Sequence, residues 1–506
     1  MASTWAFEAQ GPGSIPGGGA KSAKTERDRS VVQVQLEVAI VLAAGEGTRM
    51  KSQRPKVLHE IAGRSIIEHL LKEVDALSPN ELRVVIGAGR EVVEPHIKEV
   101  SPKSKVVIQE ERNGTGHATQ IALADLSTSG SVLILAGDTP LLRHQTLAEF
   151  ISTHHANKSV ASVLTAELPD PTGYGRIVRS DDGSITAIVE ERDATDELRE
   201  IDEINTGVYL FDINTLKENV KKLKNHNSQG ELYLTDVIKE IKDSGAKTMA
   251  ILSLDFTETL GINDRAQLAD AASLMRDRIN SQHMLNGVTI VDPTTTWIDA
   301  TVEIESDVTI YPGSWLTGNT KIRKHSVIGP RTTIKDSIIK ESATIIESNV
   351  TGAEIGCCAN IGPFSFIRTG TKLADNAKVG AYVEVKNSII GEGTKVPHLS
   401  YIGDAEIGSC TNIGAATVVV NYDGVEKHKT KIGDDVRIGS DTMLVAPVSV
   451  GDGAYTAAGS VITEDIPAGA IGVARGKQRN ILGWVLRKRA GTKSAEPAKK
   501  AGATEN

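Results

Sequence analysis

The stretch IGCCANIGPFSFIRTGTKLADNAKVGAYVEV, residues 355–385, decides the fold of the C-terminal half of the chain. An aliphatic residue returns at every sixth position in it, and a glycine often follows. Two more runs keep the spacing, and the positions in the three runs are Ile355, Ile361, Ile367, Leu373, Val379 and Val385; Leu316, Ile322, Ile328 and Ile334; and Ile432, Ile438, Leu444 and Val450. A period of six residues is typical of a parallel β-helix, in which one aliphatic residue per short strand points inward. We therefore predict a β-helix over residues 287–470, with an extruded loop where the hexads are interrupted between Thr417 and Lys431.

The N-terminal half follows a different pattern, in which short apolar runs alternate with segments typical of helices. Examples of these runs are LRVVIGA (82–88), KVVIQ (105–109) and SVLILAGD (131–138). Continuous β-branched runs between helices indicate strands that are buried on both faces, as in a mostly parallel α/β sheet. Apolar residues spaced by three and four in residues 265–285 predict one helix between the two halves.

These patterns divide the chain into six segments. The two ends are rich in Gly, Pro and Ser or in Ala and Lys, a composition typical of disorder. The predicted segments are a disordered N-terminal extension (1–35), an α/β domain (36–265), a linker helix (266–286), a β-helix domain (287–470), a C-terminal arm (471–489) and a disordered tail (490–506).

Composition and charge exclude several classes of protein. The net charge of -9 argues against general nucleic-acid binding. No apolar run approaches the ~20 residues that a membrane helix needs, so we expect no membrane association. The three cysteines are odd in number and lack paired spacing, which argues against a disulfide framework and favours a reducing cytoplasm.

The stretch LAAGEGTRM, residues 42–50, follows an apolar run and predicts a polyanion site at the end of a strand. It lacks the sixth-position glycine of a P-loop and the third glycine of a dinucleotide fingerprint. Taken alone, such a stretch is more often an ordinary tight turn. Downstream residues favour the site: Lys56 follows Pro55, and Asp138 ends a very apolar strand, where an unpaired carboxylate is costly unless it holds a cation.

Seven motifs in order carry a resemblance to a known family. They are LAAGEGTRM, PKVL, GTGHA, GDTP, DPTGYGRI, EINTG and GELYLTD, and the hexad domain follows them. The chain resembles the sugar-nucleotide pyrophosphorylases and, in particular, the bacterial bifunctional N-acetylglucosamine-1-phosphate uridylyltransferases/glucosamine-1-phosphate acetyltransferases, from about Val38 to Trp484. The resemblance implies a Rossmann-like nucleotidyltransferase domain followed by a left-handed parallel β-helix. It also implies a homotrimer and two reactions, acetyl transfer from acetyl-CoA and uridylyl transfer from UTP.

The resemblance assigns the first site residue by residue. Arg49 and Lys56 would hold phosphates and stabilise the transition state, and Asp138 and Asn263 would hold Mg²⁺. UTP would lie against Leu42, Ala43, Ala44, Gly45, Lys56, Gln109, Gly114 and Thr115. The N-acetylated sugar would lie against Gly175, Glu190, Asn205 and Thr235. Glu46 stands inside the glycine turn, and we expect its side chain to point to solvent.

The resemblance also assigns the second site. His398 would be the general base, because an ammonium cannot attack a thioester and imidazole titrates near neutral pH; Glu384 could orient it. Glucosamine-1-phosphate would be held by Arg368, Lys386, Tyr401 and Asn412. Acetyl-CoA would be held by Ala415, Asn421, Tyr422, Ser440, Ala458 and Arg475, with Asn421 and Tyr422 also beside the sugar and Ser440 near the oxyanion. Ala416 stands where many relatives have glycine and adds a methyl group near the expected acetyl-CoA channel.

Two other interpretations remain open from the sequence. The first is a single-activity pyrophosphorylase with a structural or regulatory β-helix; His398, Lys386 and the stretch NYDG argue against it, since a scaffold does not require them. The second is a non-catalytic relative that uses both folds for assembly; the joint presence of Lys56, Asp138 and Asn263 argues against that.

Overall fold

The computed structural model describes residues 36–504, so the predicted N-terminal extension (1–35) lies outside the described residues. The predicted α/β domain is built on a nine-stranded mixed sheet with the order β11-β7-β10-β6-β1-β4-β5, to which the β8–β9 hairpin adds beside β10. The strands are β1 Val38–Ala43, β2 Glu60–Ile61, β3 Arg64–Ser65, β4 Glu81–Ile86, β5 Lys105–Ile108, β6 Ser131–Ala136, β7 Ala161–Glu167, β8 Arg176–Arg179, β9 Ile185–Val189, β10 Glu203–Asp212 and β11 Thr248–Leu252, of which β2 and β3 form a separate hairpin.

The central strands of this sheet are parallel, and this orientation places the site. β1 pairs in parallel with β4 and β6, while β10 runs antiparallel to β6 and β7. Their residues are apolar and buried on both faces, as expected for a sheet covered by helices. The carboxyl ends of β1 and β6 therefore meet at one edge, where the Gly137 amide donates to the Leu42 carbonyl at 2.8 Å.

Helices cover both faces of the sheet and connect it to the second half. They are α1 Ile66–Ala76, α2 Arg90–Val100, α3 Thr115–Leu123, α4 His144–Ala156, α5 Asp196–Arg199, α6 Ile213–Asn219, α7 Thr235–Asp243, α8 Arg265–Leu285, α9 Trp484–Lys488 and α10 Ala495–Lys500. Short 3₁₀ turns lie at Thr48–Met50, Lys56–Leu58, Val220–Lys222 and Phe256–Thr259.

The linker helix α8 begins where Asp264 caps it, because that side chain accepts hydrogen bonds from the amides of Ala266 and Gln267 at 2.9 Å. Its buried Asn280 donates to the carbonyls of Pro293 and Thr296, both at 2.9 Å. These bonds attach the helix to the first coil of the second half.

The C-terminal half is a parallel β-helix with three faces, which confirms the prediction from the hexads. Face 1 comprises Thr289–Ile290, Thr309–Ile310, Val327–Ile328, Thr344–Ile345, Asn360–Ile361, Lys378–Ala381, Lys395–His398, Asn412–Ile413, Arg437–Ile438, Tyr455–Thr456 and Ile471–Gly472. Face 2 comprises Trp297–Ile298, Trp315–Thr317, Thr333–Lys335, Asn349–Thr351, Phe366–Ile367, Glu384–Lys386, Tyr401–Gly403, Val418–Val420, Met443–Val445 and Val461–Ile462. Face 3 comprises Glu303–Ile304, Lys321–Ile322, Ile338–Ile339, Glu354–Ile355, Lys372–Leu373, Ile389–Ile390, Ala405–Ile407, Thr430–Ile432 and Val448–Val450.

The hexad residues stack inside this prism and form one continuous core. Ile361, Ile367 and Val379, for example, are fully buried, and each lies in register with its counterpart one coil on. The glycine after an inward residue leaves room for the next coil: a Cβ on Gly380 would lie 2.1 Å from the carbonyl oxygen of Pro397. Burial of these aliphatic side chains is the main stabilising contribution to this domain.

The C-terminal end differs from the sequence prediction. Residues 490–506 were expected to be a disordered tail, whereas the structure forms the short helix α10 there and packs it against α9. Ala and Lys are among the better helix formers, which accounts for the helix. Residues 505–506 lie outside the described part of the chain.

Two candidate active sites

A cavity of about 870 Å³ opens at the carboxyl edge of the sheet, where β1 and β6 end. Nearly all residues proposed for the first site line it: Leu42, Ala43, Ala44, Gly45, Arg49, Lys56, Gln109, Gly114, Thr115, Asp138, Glu190, Asn205, Thr235 and Asn263. Gly175 does not line the cavity but lies next to a residue that does, because its carbonyl accepts a hydrogen bond from the Asn205 amide at 2.8 Å. The chain thus brings together residues from segments that are far apart in the sequence.

At one end of the cavity, two cationic side chains meet two side-chain oxygens that accept their hydrogen bonds. The Lys56 ammonium lies 2.5 Å from Oδ2 of Asp138 and 3.3 Å from Oδ1 of Asn263, and the Arg49 guanidinium donates to the same Asn263 oxygen at 2.9 Å. Gly47 permits this approach: its φ is 63°, and a Cβ there would lie 2.5 Å from the Cβ of Lys56. The tight glycine turn therefore fits against Lys56, with two cations directed at the cavity.

The same cluster fits a hard divalent cation. The side-chain oxygens of Asp138 and Asn263 converge on a single point, which the Lys56 ammonium holds. Mg²⁺ usually takes one or two protein oxygens and completes its shell with water and substrate phosphates. No group of three or more His, Cys, Asp or Glu side chains suited to a metal occurs in residues 36–504.

The acidic residue of the glycine turn has a partner that the sequence analysis missed. Glu46 forms an ion pair with Arg112, and both side chains are about half exposed at the mouth of the cavity. Glu46 is therefore neutralised by Arg112, which stands two residues before Gly114 of the GTGHA motif. Its place just before the GTGHA motif is the sequence feature by which Arg112 could have been identified as a cavity residue.

The opposite end of the cavity carries hydrogen-bonding groups that suit a sugar. Thr235 Oγ1 donates to Oε1 of Glu190 at 3.3 Å, and burial raises the pKa of the Glu190 carboxyl above its usual value. Asn205 and Tyr209 come from the same strand, β10, and lie on one face of it. Its backbone is irregular between Asn205 and Val208, and Gly207 adopts a φ of 79° there.

The second set of residues forms a column on the β-helix. His398, Ala415, Ser440 and Ala458 occupy one corner position between faces 1 and 2 in four successive coils. The register follows from three hydrogen bonds between neighbouring coils: Ala416 N to His398 O, Asp441 N to Ala415 O, and Gly459 N to Ser440 O. Adjacent coils are ~4.8 Å apart. His398 is therefore the one large side chain in this column, where Ala381 precedes it and small residues follow it, and its side chain is exposed.

A cationic cluster lies at the far end of face 2. Arg368 and Lys386 follow the inward residues of successive coils, and Lys427 from the extruded loop contacts Lys386. The proximity of Lys427 is the main cause that lowers the pKa of the Lys386 ammonium. Lys427 was missed because its contact depends on how the loop folds back. Three cations at one place suit a phosphate.

Within one chain, Glu384 has a partner other than His398, and its suggested role in orienting the imidazole stays a prediction. Glu384 instead accepts a hydrogen bond from Arg368 at 2.7 Å. The reason is the register: Glu384 lies between Phe366 and Tyr401 on face 2, whereas His398 lies at the end of a face 1 strand. Among the described residues, no side-chain hydrogen bond of His398 is recorded.

The extruded loop, residues 421–429, is anchored at both ends. Asn421 donates to the buried Asp404 at 2.5 Å and lies 3.4 Å from the Tyr401 hydroxyl. Asp423 accepts from the amides of Val425 and Glu426 and from His428, and these bonds lower the pKa of its carboxyl. The loop thus has a defined conformation over face 2.

Four further predicted residues are spread around this site. Asn412 lies on face 1, and Tyr422, half exposed, donates to the carbonyl of Gly424 at 2.7 Å. Arg475 is exposed on the arm beyond the last coils. Ala416, next to the column, has a φ of 59°.

Comparisons with known proteins match both halves. The nucleotidyl transferase family matches residues 38–300, and the bacterial transferase hexapeptide family (six repeats) matches residues 429–464. In the part of the chain that the structure describes, no helix is long and apolar enough to span a membrane.

Curated relatives match almost from end to end. The bifunctional protein GlmU of Streptomyces avermitilis is 51% identical over 468 residues, covering 92% of this chain and 97% of the relative. That of Corynebacterium diphtheriae is 51% identical over 471 residues, with coverage of 92% and 97%. That of Mycobacterium bovis is 48% identical over 468 residues, with coverage of 91% and 94%. The resemblance inferred from the motifs is thereby confirmed, and the chain belongs to the bifunctional GlmU family.

Proposed function

We propose that the chain makes UDP-N-acetylglucosamine in two steps, acetyl transfer to glucosamine-1-phosphate at the β-helix and uridylyl transfer at the α/β domain. The observation that carries this proposal is the convergence of Lys56, Arg49, Asp138 and Asn263 at the sheet edge. The β-helix of the same chain presents an exposed His398 in a column of small residues. Each half supplies the groups that one of the two reactions needs.

The uridylyl transfer is an in-line displacement at phosphorus. A phosphate oxygen of N-acetylglucosamine-1-phosphate attacks the α-phosphorus of UTP, the new P–O bond forms, and the bond to the β-phosphate oxygen breaks. Positioning and charge neutralisation dominate such chemistry. Arg49 and Lys56 bind the triphosphate and stabilise the charge on the departing pyrophosphate. Glu190 and Asn205 hold the sugar at the other end of the cavity.

Asp138 and Asn263 are the residues that would hold Mg²⁺ beside Lys56. When bound, the ion supplies positive charge against the phosphate oxygens. Glu46 and Arg112 remain paired at the mouth, so that the carboxylate does not repel the nucleotide.

The acetyl transfer requires removal of a proton from nitrogen. His398 accepts the proton from the sugar ammonium, the free amine attacks the thioester carbonyl and the C–N bond forms. The C–S bond then breaks, and the proton that the nitrogen loses passes to the sulfur, so that CoA leaves as the thiol. Ser440 stabilises the oxyanion, and the small residues Ala415 and Ala458 leave space for the pantetheine chain. Arg368, Lys386 and Lys427 bind the sugar phosphate.

The separation of these groups in one chain supports a homotrimer. His398 and Lys386 lie at opposite ends of face 2, which is about three extended residues, roughly 10 Å, wide. Asn412 and Arg475 lie elsewhere on the same chain. Flat-sided prisms packed around a threefold axis bring one end of a face against another subunit. We infer that neighbouring subunits complete each acetyl-transfer site.

We also place the protein in the cytoplasm. Its three cysteines, Cys357, Cys358 and Cys410, are free, as expected in a reducing compartment. UTP and acetyl-CoA are the substrates that this assignment requires in the same compartment.

A split assay on purified protein tests the proposal. One reaction contains glucosamine-1-phosphate and acetyl-CoA and follows the free CoA thiol; the other contains N-acetylglucosamine-1-phosphate, UTP and Mg²⁺ and follows pyrophosphate. Both reactions should proceed, His398→Ala should silence the first alone, and Asp138→Ala the second alone. Pyrophosphate release without CoA release would favour a single-activity pyrophosphorylase, and inactivity in both would favour an assembly protein.

A further inference from the structure

A second cavity, of about 200 Å³, lies at the junction of the two halves, away from both candidate active sites. Its walls are the loop 140–145, helices α1 and α8, and the first coil of the β-helix at Ala300. We propose that this cavity binds a small phosphate-type oxyanion. We call it the junction pocket.

The charge of the lining points to an anion. Three arginines, Arg64, Arg143 and Arg278, line the junction pocket, against the single carboxylate of Glu73. That carboxylate is already bound, because it accepts from the His144 amide at 2.8 Å and from the His144 ring at 2.7 Å. Three cations in one small cavity stand out in a chain of net charge -9.

Most guanidinium N–H groups of Arg278 have no hydrogen-bond partner among the described residues. The hydrogen bond recorded for it within residues 36–504 goes to the carbonyl of Leu141 at 2.8 Å, and no ion pair is recorded there. Burial, followed by the nearby charge of Arg143, lowers the pKa of its guanidinium. The carboxylates of Glu258, Asp255 and Glu73 oppose this shift, but none of them forms an ion pair with Arg278 in the described residues. A partly buried cation without a carboxylate in direct contact is stabilised when an anion binds to it.

The other two arginines offer their remaining donors to the same space. Arg64 Nε is buried without a hydrogen bond and forms a longer ion pair with Glu68 at 3.5 Å, while Nη2 donates to the carbonyl of Ala300 at 3.4 Å. Its Nη1 has no partner among the described residues. Arg143 is held from behind by Asp255 and Glu258 through Nε and Nη2. Its third nitrogen has no partner recorded in the described chain.

The size and chemistry favour phosphate over a bulkier or neutral ligand. Planar guanidinium groups bind phosphate through paired N–H donors. A volume of about 200 Å³ accommodates one tetrahedral oxyanion with a few waters, each taking ~30 Å³. A neutral ligand would leave Arg278 without an anionic group in direct contact.

The location gives such an anion a structural consequence. The loop 140–145 follows Asp138 directly, and α8 follows Asn263. An anion between Arg143 and Arg278 therefore connects the two segments that carry the cavity oxygens at Lys56. The binding itself does not depend on the proposed function.

Binding of inorganic phosphate to the full chain tests the proposal. Thermal unfolding is followed as phosphate replaces chloride at constant ionic strength, and the dissociation constant is obtained from the rise in Tm. Arg278→Met keeps the apolar stem and removes the charge, and it should weaken phosphate binding at least tenfold. Arg276→Met, two residues earlier on α8 and outside the pocket lining, is the matched control and should keep the wild-type response.

Phosphate can also bind at the uridylyl-transfer site, so Lys56→Met provides the second comparison. A response that survives Lys56→Met and is lost in Arg278→Met supports the junction pocket. An equal response in the wild type and Arg278→Met, loss in Lys56→Met instead, or no phosphate-specific response at all would overturn it. If Arg278→Met does not fold, Arg64→Met takes its place with the same expected loss.

Discussion

The ammonium nitrogen of Lys56 lies 2.5 Å from Oδ2 of Asp138, a residue 82 positions later in the chain. The lysine thus occupies the point on which the Asp138 and Asn263 oxygens converge. A divalent cation at that point needs the same oxygens. We infer that Lys56 and the cation compete for Asp138 until nucleotide phosphates give the ammonium another partner.

Replacing Lys56 by methionine should therefore have two opposite effects. Loss of the phosphate-binding cation should slow pyrophosphate release by about 10²–10³-fold, in the range found for a single electrostatic stabiliser. Removal of the competing ammonium should strengthen Mn²⁺ binding in the absence of nucleotide, measured by electron paramagnetic resonance of the free ion. CoA release at the β-helix should not change, which controls for misfolding. Weaker Mn²⁺ binding in Lys56→Met would show that the lysine does not compete with the cation.

The ion pair between Glu46 and Arg112 leads to a second prediction. Arg112→Met should raise the KM for UTP several-fold, because it leaves the Glu46 carboxylate unpaired beside the phosphates. Glu46→Gln should have a smaller effect, and the double variant should be closer to wild type than Arg112→Met alone. Steady-state kinetics with varied UTP measure all three. If the changes in KM of the two single variants add up in the double variant, the Glu46–Arg112 ion pair does not affect UTP binding.

Much of the fold could be predicted because it depends on side-chain periodicity. Residues such as Ile361 and Val379 recur at a spacing that only a stacked coil satisfies, and both are fully buried in register. The motif residues Lys56 and Asp138 could be assigned to one cavity because carboxyl ends of adjacent parallel strands meet at one edge.

Other features depend on long-range register and could not be predicted. The coil that holds the extruded loop separates Ser409 from Asp434 by 25 residues, whereas Thr394 and Thr411 in the preceding coil are 17 apart. The pairing between coils likewise decides that Glu384 meets Arg368 and not His398 within one chain, because Glu384 lies on face 2 and His398 ends a face 1 strand. The junction pocket also combines distant segments, since Arg64 comes from β3, Arg143 from the loop 140–145 and Arg278 from α8, and no common sequence pattern links them.

The contact between Glu384 and Arg368 gives a third prediction. Glu384→Gln should raise the KM for glucosamine-1-phosphate a few-fold, because Arg368 loses the carboxylate that orients it at 2.7 Å. The pH profile of kcat for acetyl transfer should stay in place, since Glu384 does not contact His398. A shift of that profile toward lower pH would mean that Glu384 supports the imidazolium in the assembled enzyme. CoA release measured between pH 6 and 9 distinguishes the two.

His69 predicts how stability depends on pH. Burial lowers the pKa of its imidazole from 6.5 to about 4, although Nε2 bonds the Ile61 carbonyl at 2.7 Å. As the pH falls, His69 is therefore protonated in the unfolded chain before it is protonated in the folded chain. The free energy of unfolding is unaffected by His69 above pH ~6.5 and decreases as the pH falls toward 4. His69 alone accounts for at most about 3 kcal/mol of this loss. His69→Gln, which keeps a donor but cannot titrate, should flatten the fall in urea unfolding between pH 7 and 5; an unchanged slope would contradict it.

Ala416 has a φ of 59°, in the left-handed region, and its amide donates to His398 O at 3.2 Å. An L-residue there is strained by about 1–2 kcal/mol, while glycine is not. Glycine loses more backbone freedom on folding, at roughly 0.5–1 kcal/mol, so Ala416→Gly should stabilise the fold by up to about 1 kcal/mol. Ala415→Gly, at a neighbouring position without a positive φ, is the control and should destabilise the fold slightly. Urea unfolding measures both, and destabilisation by Ala416→Gly as well would mean that the Ala416 methyl group contributes packing that outweighs its strain.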